Sequence, residues 1–399
     1  MRILFADPFD PARLELLAGA GHQSEVHDLT ADELPGRIAD FDVLVVRSTR
    51  VTAATIEAAD RLSLIVRAGA GTDNVDRAAA ARAGIYLCNV PGRNAIAVAE
   101  LAIGLLLAVD RHIVDAATDL RAGRWNKSVY ARADGVFGKR MAIVGLGDVG
   151  LAVAERAKAL GMTVSAIRKD ARLPGVQAQI RSIGIRLIDT VEELLGGADV
   201  VSLHLPKAEA TTGLVNEDFL ALMPDGAILL NTSRGDVIDE PALLDAMDRR
   251  GIRAGLDVYR DEPSGGGGEW SSKLATHASV VGTHHIGAST RQAQEAIADG
   301  VLEVIHSFEA GEPVNCVNLI RQRQDTTQLI VRHLDRVGVL AKVLGVLREQ
   351  GLNVQQMQNH VFEGGHAAVA SIHVHGTVGD DVVQALDGLD EVLATFCAP

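Results

Sequence analysis

The feature that constrains the fold most is the stretch MAIVGLGDVGLAVAERAKALG, which begins at Met141. An apolar run leads into Gly145, Gly147 and Gly150, and a helical pattern follows. Glycines at this spacing permit a tight turn and a close backbone approach, so that unpaired N–H groups of the helix can hold a pyrophosphate. Between a strand and a helix, the spacing predicts a dinucleotide-binding site in a doubly wound parallel sheet.

Short apolar runs alternate with helical patterns along two stretches of the chain. From residue 2 to about 90, runs such as ILFA and DVLVVRS are separated by patterns such as TAATIEAADRL. From about 139 to 285 the alternation restarts with runs such as VVSLHLP and AILLNTS. This alternation predicts two doubly wound parallel α/β sheets of the Rossmann or flavodoxin type. Ser289 and Gln292 stand at capping-box spacing and predict the start of a long helix that returns to the first sheet.

The last part of the chain has a different pattern. The stretch GEPVNCVNLIRQRQDTT is polar and turn-prone, and the order strand, helix, strand, strand, helix, strand follows it. We therefore expect a discontinuous substrate-binding domain, a dinucleotide-binding domain and a small α+β domain with the order βαββαβ. Their bounds are 1–93 with 287–320, then 94–286, and finally 326–399.

Composition limits the partners. Lys and Arg number 38 against 52 Asp and Glu, a net charge of −14, so we expect no nucleic-acid partner. The most apolar stretch, residues 95–109, is too short to span a bilayer and contains Glu100. It predicts a helix buried within the protein, and we expect no membrane partner. The N-terminus lacks the pattern of an export signal, and we expect a cytoplasmic protein.

The cysteines Cys88, Cys316 and Cys397 are far apart in the sequence and lack the spacing of metal ligands. This usage favours a reducing compartment and argues against a disulfide scaffold and a zinc site. We expect small buried apolar side chains at these positions and no bound metal.

Nine motifs follow one another over essentially the whole chain. They are VVRSTRVT, RAGAGTDNVD, VPGRNAIAVAEL, GRWNK, GKRMAIVGLGDVG, VVSLHLP, LLNTSRGDVIDEPAL, AGLDVYRDEP and GTHHIGAST. In this order they resemble the D-2-hydroxyacid dehydrogenase family, particularly its D-3-phosphoglycerate dehydrogenase branch. The resemblance implies hydride transfer between a small anionic 2-hydroxy acid and NAD(H) or NADP(H).

The resemblance also implies three catalytic residues. Arg234 would hold the substrate carboxylate, which its planar fork matches. His285 would take the hydroxyl proton, because imidazole has an ordinary pKa of about 6.5. Glu262 would orient the imidazole and favour its charged form. If GTHHIG is an extended strand, His284 points to the opposite face, and we expect a structural role for it.

Further positions match the cofactor-binding and substrate-binding motifs of the family. Asp257 would lie beside the nicotinamide amide, and the backbone of Ala70 and Gly71 would contact the substrate carboxylate. The implied cofactor-binding residues are Gly145, Gly147, Asp148, Val149, Gly150, Arg168, His204, Pro206, Thr232, Ser233, Arg234, Asp257, His285 and Gly287. The implied substrate-binding residues are Arg47, Ser48, Ala70, Gly71, Asn94, Lys127 and Arg234.

The choice between NAD(H) and NADP(H) depends on the end of the strand after the glycine turn. An acidic residue usually binds the ribose hydroxyls there, whereas this chain has Arg168 and Lys169. Arg168 could pair with the 2′-phosphate of NADP(H). Alternatively, Arg168 and Lys169 could both be solvent-exposed charges that do not prevent the binding of NAD. Asp170 could still reach the ribose. We expect NADP(H) to be accepted.

Several cations indicate a second anionic group on the substrate, such as a phosphate. Arg47 and Arg50 belong to the first domain, and Lys127 matches a lysine that relatives contribute to the active site of the neighbouring subunit. Solvated surface charge is the alternative for Arg50 and Lys127. We expect oxidation of D-3-phosphoglycerate, the first step of L-serine biosynthesis. One alternative is a reductase for hydroxypyruvate, glyoxylate or another 2-oxo acid, and another is a non-catalytic NAD(H)-sensing binding protein.

The tail LIVRHLDRVGVLAKVLGVLREQGLNVQQMQNHV resembles an ACT regulatory domain, which in phosphoglycerate dehydrogenases can bind serine between paired subunits. His333 and Asn353 match ligand-contacting positions, whereas Asp335 stands where the serine-sensitive pattern has asparagine. A carboxylate cannot donate the hydrogen bonds of an amide, so we expect weak or no serine inhibition. An amino-acid effector and a homodimer or homotetramer are the partners that the resemblance implies.

Overall fold

The computed structural model describes residues 1–169, 172–263, 267–320 and 325–398. The chain divides into two compact units, 1–318 and 319–399. In the described part of the chain the strands form three sheets. The expectation for Asp170 falls outside the described residues.

The first sheet belongs to the first 89 residues. Its elements are β1 (Arg2–Phe5), α1 (Pro11–Gly19), β2 (Gln23–Val26), β3 (Val43–Val46), α2 (Ala53–Glu57), β4 (Leu64–Arg67), α3 (Arg77–Arg82) and β5 (Tyr86–Asn89). The strands are parallel in the order β2-β1-β3-β4-β5. All of β3 is buried, because Val43 and Val45 point into one apolar layer and Leu44 and Val46 into the other. Two apolar layers require helices on both faces of the sheet.

The second sheet is also parallel, in the order β12-β11-β10-β9-β6-β7-β8. Its strands are β6 (Arg140–Val144), β7 (Thr163–Ile167), β8 (Arg186–Ile188), β9 (Val200–Leu203), β10 (Ile228–Asn231), β11 (Arg253–Leu256) and β12 (Val280–Gly282). The helices are α4 (Ala95–Asp110), α5 (Ile113–Arg121), α6 (Lys127–Tyr130), α7 (Asp148–Ala159), α8 (Pro174–Ile183), α9 (Val191–Gly196), α10 (Glu217–Ala221) and α11 (Glu240–Arg250). Short 3₁₀ turns cover Leu34–Gly36, Glu209–Thr211 and Gly235–Val237.

Helix α4 contains the apolar stretch singled out in the sequence, and it packs against this sheet. Ala102, Leu105 and Leu106 are buried in the apolar layer that holds Met141 and Ile143 of β6. The prediction of a buried helix is confirmed. Among the described residues no helix is both long enough and apolar enough to cross a membrane.

The long helix α12 (Arg291–Glu309) packs on the first sheet, where Ile297 and Val301 join the layer of Val43 and Val45. Its N-cap is Thr290, whose hydroxyl accepts from the N–H of Ala293 at 3.1 Å. The predicted capping box of Ser289 and Gln292 is therefore wrong. Ser289 still belongs to the preceding turn, where its N–H donates to the carbonyl of Ile286. The boundaries at 93/94 and 286/287 stay predictions.

The third sheet forms the second unit. Its elements are β13 (Thr326–Leu334), α13 (Val339–Glu349), β14 (Val354–Val361), β15 (Ala367–His375), α14 (Asp380–Asp387) and β16 (Val392–Ala398). The strands are antiparallel in the order β14-β15-β13-β16. Leu329 and Val331 of β13 pack with Val343 and Leu347 of α13. The predicted order βαββαβ and the fold class are confirmed.

Candidate active site

The glycine turn lies between β6 and α7. A Cβ at Gly145, whose φ is +105°, would collide with the carbonyl of His204, and a Cβ at Gly150 would collide with the carbonyl of Gly145. Gly147 is the N-cap of α7, no side chain caps the first turn of this helix, and the space beside Gly147 is open. Asp148 and Val149 begin the helix. Uncapped N–H groups beside an open turn fit a pyrophosphate.

Arg168 lies at the end of β7, where a Rossmann sheet reads the adenosine ribose. Its Nε donates to Asp189 Oδ1 at 2.6 Å, and its Nη2 donates to the carbonyl of Leu187 at 3.4 Å. The sequence prediction missed Asp189, although it directly follows β8, the neighbouring strand. A 2′-phosphate would have to compete with Asp189 for this guanidinium group.

Two buried polar atoms lie at the carboxyl ends of β9 and β10 without a hydrogen-bond partner in the described part of the protein. They are His204 Nδ1 and Thr232 Oγ1. The Nε2 of His204 contacts Ser202 Oγ at 2.8 Å, and burial lowers the pKa of His204 to about 4, so the ring is neutral near pH 7. Orphaned polar atoms at this edge are a further observation that fits a bound nicotinamide cofactor, because α/β sheets bind ligands there.

The two histidines lie beyond the last strand of the second sheet, because β12 ends at Gly282. The premise of strand alternation is therefore wrong, and a bend in the chain separates the two side chains. His285 has the left-handed backbone conformation, with a φ of +54°, and its Nδ1 hydrogen-bonds Glu262 Oε1. His284 is exposed and hydrogen-bonds none of the residues that the structure describes. The two side chains thus differ in environment, but the expected structural role of His284 is wrong, because its side chain is exposed and packs into no hydrogen-bonded site of the described residues.

Glu262 is held in turn by the backbone. Its Oε2 accepts from the N–H of Tyr259 at 3.1 Å. Burial acts to raise the pKa of Glu262, but the hydrogen bond and charge of His285 outweigh it, so this pKa lies below its ordinary value. A carboxylate that stays charged holds the proton of His285 on Nδ1, which leaves Nε2 to exchange a proton with a substrate.

Asp257 anchors the turn that carries His285. The carboxylate is 1% exposed, its Oδ1 accepts from the Thr283 hydroxyl at 2.6 Å and the Ile286 N–H at 2.8 Å, and its Oδ2 accepts from the Gly287 N–H at 2.8 Å. The N–H of His285 donates to the Asp257 carbonyl at 2.7 Å. The sequence prediction missed this role, because two of the three donors to the carboxylate are backbone groups, which any residue could supply.

Arg234 follows β10 and reaches the loop that follows β4. Its Nε donates to Asp73 Oδ2 at 2.7 Å, and its Nη1 donates to the carbonyl of Ser233 at 2.7 Å. A Cβ at Gly71 would collide with Nη2. The structure therefore brings Arg234 and Gly71 together, as the resemblance implied, and it adds Asp73, which the sequence prediction missed.

Arg67, the last residue of β4, is a further cation at this place. Its Nε is buried and has no partner among the described residues. Burial first, and then the charge of Arg234 and a smaller contribution from Arg47, lower the pKa of Arg67 to about 10. The carboxylates of Asp73 and Asp7 act in the opposite direction, so both cations and anions surround Arg67. The sequence offered one signal, a charged residue at the end of a buried apolar strand.

Backbone contacts shape the neighbouring loops. Asp7 accepts from the N–H groups of Arg47 at 2.7 Å and Ser48 at 3.0 Å. The side chain of Asn89 donates to the carbonyl of Ala70 at 2.6 Å. Asp7 and Asn89 were missed because they act on the backbone of the predicted residues. Asn94 stands at the N-cap of α4, and Pro206 follows β9.

Comparisons with known proteins agree with this arrangement. Residues 103–287 match the model of the D-isomer specific 2-hydroxyacid dehydrogenase NAD binding domain, and residues 327–391 match the ACT domain. The hydroxypyruvate reductase of Thermotoga maritima is 39% identical over 307 residues, which cover 76% of this chain and 97% of that protein. This chain belongs to the D-isomer-specific 2-hydroxyacid dehydrogenase family.

Other members of the family resemble the chain over more of its length. The D-3-phosphoglycerate dehydrogenase of Methanocaldococcus jannaschii is 38% identical over 356 residues, which cover 88% of this chain and 65% of that protein. The chain spans 49% and 58% of two related plant enzymes. The structure of 3-phosphoglycerate dehydrogenase from Entamoeba histolytica with bound NAD⁺ has a TM-score of 0.65 and 26% identity, and the match covers 80% of this chain and 99% of that one.

In this family member, Lys127 stands apart from the other site residues. It begins α6 and is exposed, and its side chain makes no hydrogen bond or ion pair with any described residue of its own chain. Trp125 and Phe137, on either side of α6 in the sequence, are 79% and 86% exposed. The structure of one chain therefore does not bring Lys127 to Arg234.

The predicted effector residues of the ACT domain do not form one cluster. His333 is buried, with Nδ1 2.8 Å from the carbonyl of Leu334 and Nε2 3.0 Å from Asn359 Oδ1. The partner of His333 on β14 is thus Asn359, which the sequence prediction missed, whereas Asn353 accepts through its carbonyl from the His375 N–H. Asp335 is exposed. The effector roles of these residues stay predictions.

Proposed function

We propose that this chain oxidises D-3-phosphoglycerate to 3-phosphohydroxypyruvate, the first step of L-serine biosynthesis, and that NAD⁺ or NADP⁺ accepts the hydride. The observation that carries the proposal is the pair of guanidinium groups at the loop after β4, where a Cβ at Gly69 would collide with Arg67 Nη1 and a Cβ at Gly71 with Arg234 Nη2. One arginine fork suffices for a single carboxylate. A second cation, Arg67, whose buried Nε has no partner among the described residues, favours a substrate with a second anionic group.

The geometry supports a role for each reacting group. Arg234 binds the substrate carboxylate through Nη2 beside Gly71, and Asp73 and the Ser233 carbonyl fix the rest of its fork. His285 Nε2 takes the proton of the hydroxyl group, and Glu262 stabilises the imidazolium that forms. When bound, the nicotinamide supplies the acceptor for the hydride that leaves the same carbon. In the reverse direction His285 returns the proton.

We propose that both nicotinamide cofactors are used. The glycine turn, His204 and Thr232 offer the same contacts to either one. Arg168 supports NADP(H), because no acidic side chain at its position repels a 2′-phosphate. The hydrogen bond from Arg168 to Asp189 opposes the binding of NADP(H), since the 2′-phosphate must displace the Asp189 carboxylate from the guanidinium group.

We propose that the protein is a homodimer or homotetramer in which Lys127 reaches the active site of the neighbouring subunit. Exposed Trp125 and Phe137 support an interface near α6, because large exposed apolar groups often mark contact surfaces. We also propose an amino-acid effector for the ACT domain, and little or no inhibition by serine because of Asp335. Light scattering and inhibition by micromolar serine test these two proposals.

The experiment that tests the activity is a steady-state comparison of D-3-phosphoglycerate, D-glycerate and 2-hydroxyglutarate, each with NAD⁺ and NADP⁺. The Arg67→Ala variant should lose about 10- to 100-fold in kcat/KM for phosphoglycerate, the effect of one charge-assisted contact, and much less for glycerate. Arg82→Ala, a change at an exposed arginine at the end of α3, is the matched control.

Each alternative predicts a different result. A reductase for glyoxylate or hydroxypyruvate would prefer those 2-oxo acids, and Arg67→Ala would then affect phosphoglycerate and glycerate equally. A sensor of NAD(H) would bind the cofactor without turning over any D-2-hydroxy acid. Either result would overturn the proposed function.

A further inference from the structure

Cys88 and Cys316, far apart in the sequence, lie directly opposite each other. Cys88 belongs to β5, and Cys316 forms an antiparallel bridge with it from the segment after α12. The flanking backbone bonds are donated by Val317 to the Leu87 carbonyl at 2.8 Å and by Asn89 to the Asn315 carbonyl at 3.2 Å. These bonds flank the cysteine pair instead of joining it, so the cysteines are a non-hydrogen-bonded pair, whose side chains share one face.

This kind of pair has the geometry that a disulfide needs. Opposed residues in a non-hydrogen-bonded antiparallel pair have Cα atoms about 4.5 Å apart. Disulfides join cysteines with Cα separations of roughly 4.4–6.8 Å. A bond between the two sulfur atoms therefore requires no large backbone movement.

The surroundings of the two thiols differ slightly. Cys88 is 0% exposed within the apolar layer of the first sheet, and Cys316 is 5% exposed. The thiol of Cys316 lies 3.3 Å from Asn318 Oδ1, its hydrogen-bond acceptor. Burial, and then the neighbouring Cys316, raise the pKa of the Cys88 thiol. The remaining cysteine, Cys397, lies in the other unit and is exposed, so the expectation of a buried side chain is wrong for this position.

We propose that Cys88 and Cys316 are a redox-active pair that closes to an intrachain disulfide when a hydroperoxide is the oxidant. Cys316 reacts first, because it is the more exposed thiol. Its sulfur loses a proton and attacks one oxygen of hydrogen peroxide, the O–O bond breaks, and water leaves a sulfenic acid behind. The sulfur of Cys88 loses its proton and attacks the sulfenic sulfur, and a second water leaves. In total the two thiols lose two electrons and two protons, and one molecule of peroxide is reduced to two molecules of water.

The bond ties β5 to the segment that ends the first unit at Asn318. The folded chain already holds this segment in place, since Asn318 accepts from the Leu87 N–H at 2.9 Å and donates to the Ile85 carbonyl at 2.8 Å. The disulfide therefore acts mainly on the unfolded chain, whose freedom it reduces. Oxidation should make the first unit harder to unfold without displacing the segment.

The test uses the full chain with Cys397→Ser, so that the pair supplies the only thiols. After treatment with hydrogen peroxide, both thiols should disappear and the intact mass should fall by two hydrogen atoms. A tryptic digest should contain residues 83–93 linked to residues 292–321, and a dithiol reductant should reverse each change. The thermal midpoint of the oxidised form should be higher by about 3 °C or more.

Two matched controls, Cys88→Ser and Cys316→Ser in the same background, should form no linked peptide within one chain. The proposal is overturned if both thiols of the pair survive, if Cys316 gains two or three oxygen atoms without a link, or if the link joins two chains. If the link formed within one chain but did not raise the thermal midpoint, the disulfide would strain the fold. The inference that it fits the existing backbone would then be overturned. None of these results depends on the identity of the substrate.

Discussion

The position of His285 depends on one buried carboxylate, and replacing it should disable the enzyme. Asp257 accepts hydrogen bonds from the Thr283 hydroxyl and from the N–H groups of Ile286 and Gly287. Asp257→Asn keeps the size of the side chain but turns one acceptor oxygen into an NH₂ donor. At least one donor of the turn then faces another donor, and the remaining bonds lose the negative charge that strengthens them.

The size of the effect follows from these three bonds. A buried N–H left without an acceptor costs about 1–3 kcal/mol, and a bond that loses its charge weakens by about 1 kcal/mol. Because a neutral amide costs less free energy to bury than a charged carboxylate, the substitution also regains part of this loss. We therefore expect the turn to lose about 2–3 kcal/mol of local stability. Because His285 has an unfavourable left-handed backbone, the freed turn relaxes, and kcat should fall by roughly 30- to 150-fold.

The assay measures kcat, KM and the dissociation constant of the cofactor. Thr283→Val is the control, since it removes one donor to Asp257 and leaves both backbone bonds, and it should lower kcat by only about fivefold. If Asp257→Asn kept its kcat but bound the cofactor more weakly, Asp257 would act on the nicotinamide, and the reasoning from the turn would be refuted.

Three further predictions can be checked with purified variants. His285→Ala should lower kcat by about 10²–10⁴-fold, whereas His284→Ala should keep most of it, and equal losses would contradict the assignment of the base. Arg168→Asp should shift the ratio of kcat/KM values toward NAD(H) by about tenfold or more, and an unchanged ratio would show that Arg168 does not contact the ribose. Burial lowers the pKa of His204 from 6.5 to about 4, so the unfolded chain takes up a proton as pH falls below 6.5 and the folded chain does not. Urea unfolding of the cofactor-free protein should therefore show stability falling by up to about 3 kcal/mol between pH 6.5 and 4, a slope that His204→Gln should lack.

The sheets were predictable from the sequence because their signals are local. The apolar run, Gly145 and the helical pattern behind it all lie within about twenty residues, and each is required by the turn that they form together. The same holds for the βαββαβ order of the tail. The start of α12 was predicted one residue too early because Ser289 and Thr290 are both good caps, and only the preceding turn decides between them.

The contacts that complete the site could not be predicted, because they join residues with no local signal. Asp73 and Arg234 are 161 positions apart, and the sequence around Asp73 contains no signal for a contact with Arg234. The opposition of Cys88 and Cys316 likewise depends on a chain that leaves the first sheet and returns to it. The environments of the two histidines could not be predicted from strand alternation either, because β12 ends at Gly282, three residues before His285.

The ion pair of Asp73 and Arg234 has a consequence for motion. Asp73 follows a strand of the first sheet and Arg234 a strand of the second, so any movement that separates the sheets at this point must part these charges. Both side chains are partly exposed, at 39% and 27%, and the pair contributes at most about 1 kcal/mol. Dissolved salt screens exposed charges over about 8 Å at physiological ionic strength. Raising the ionic strength should therefore weaken this link and make it easier for the two sheets to move apart at this point.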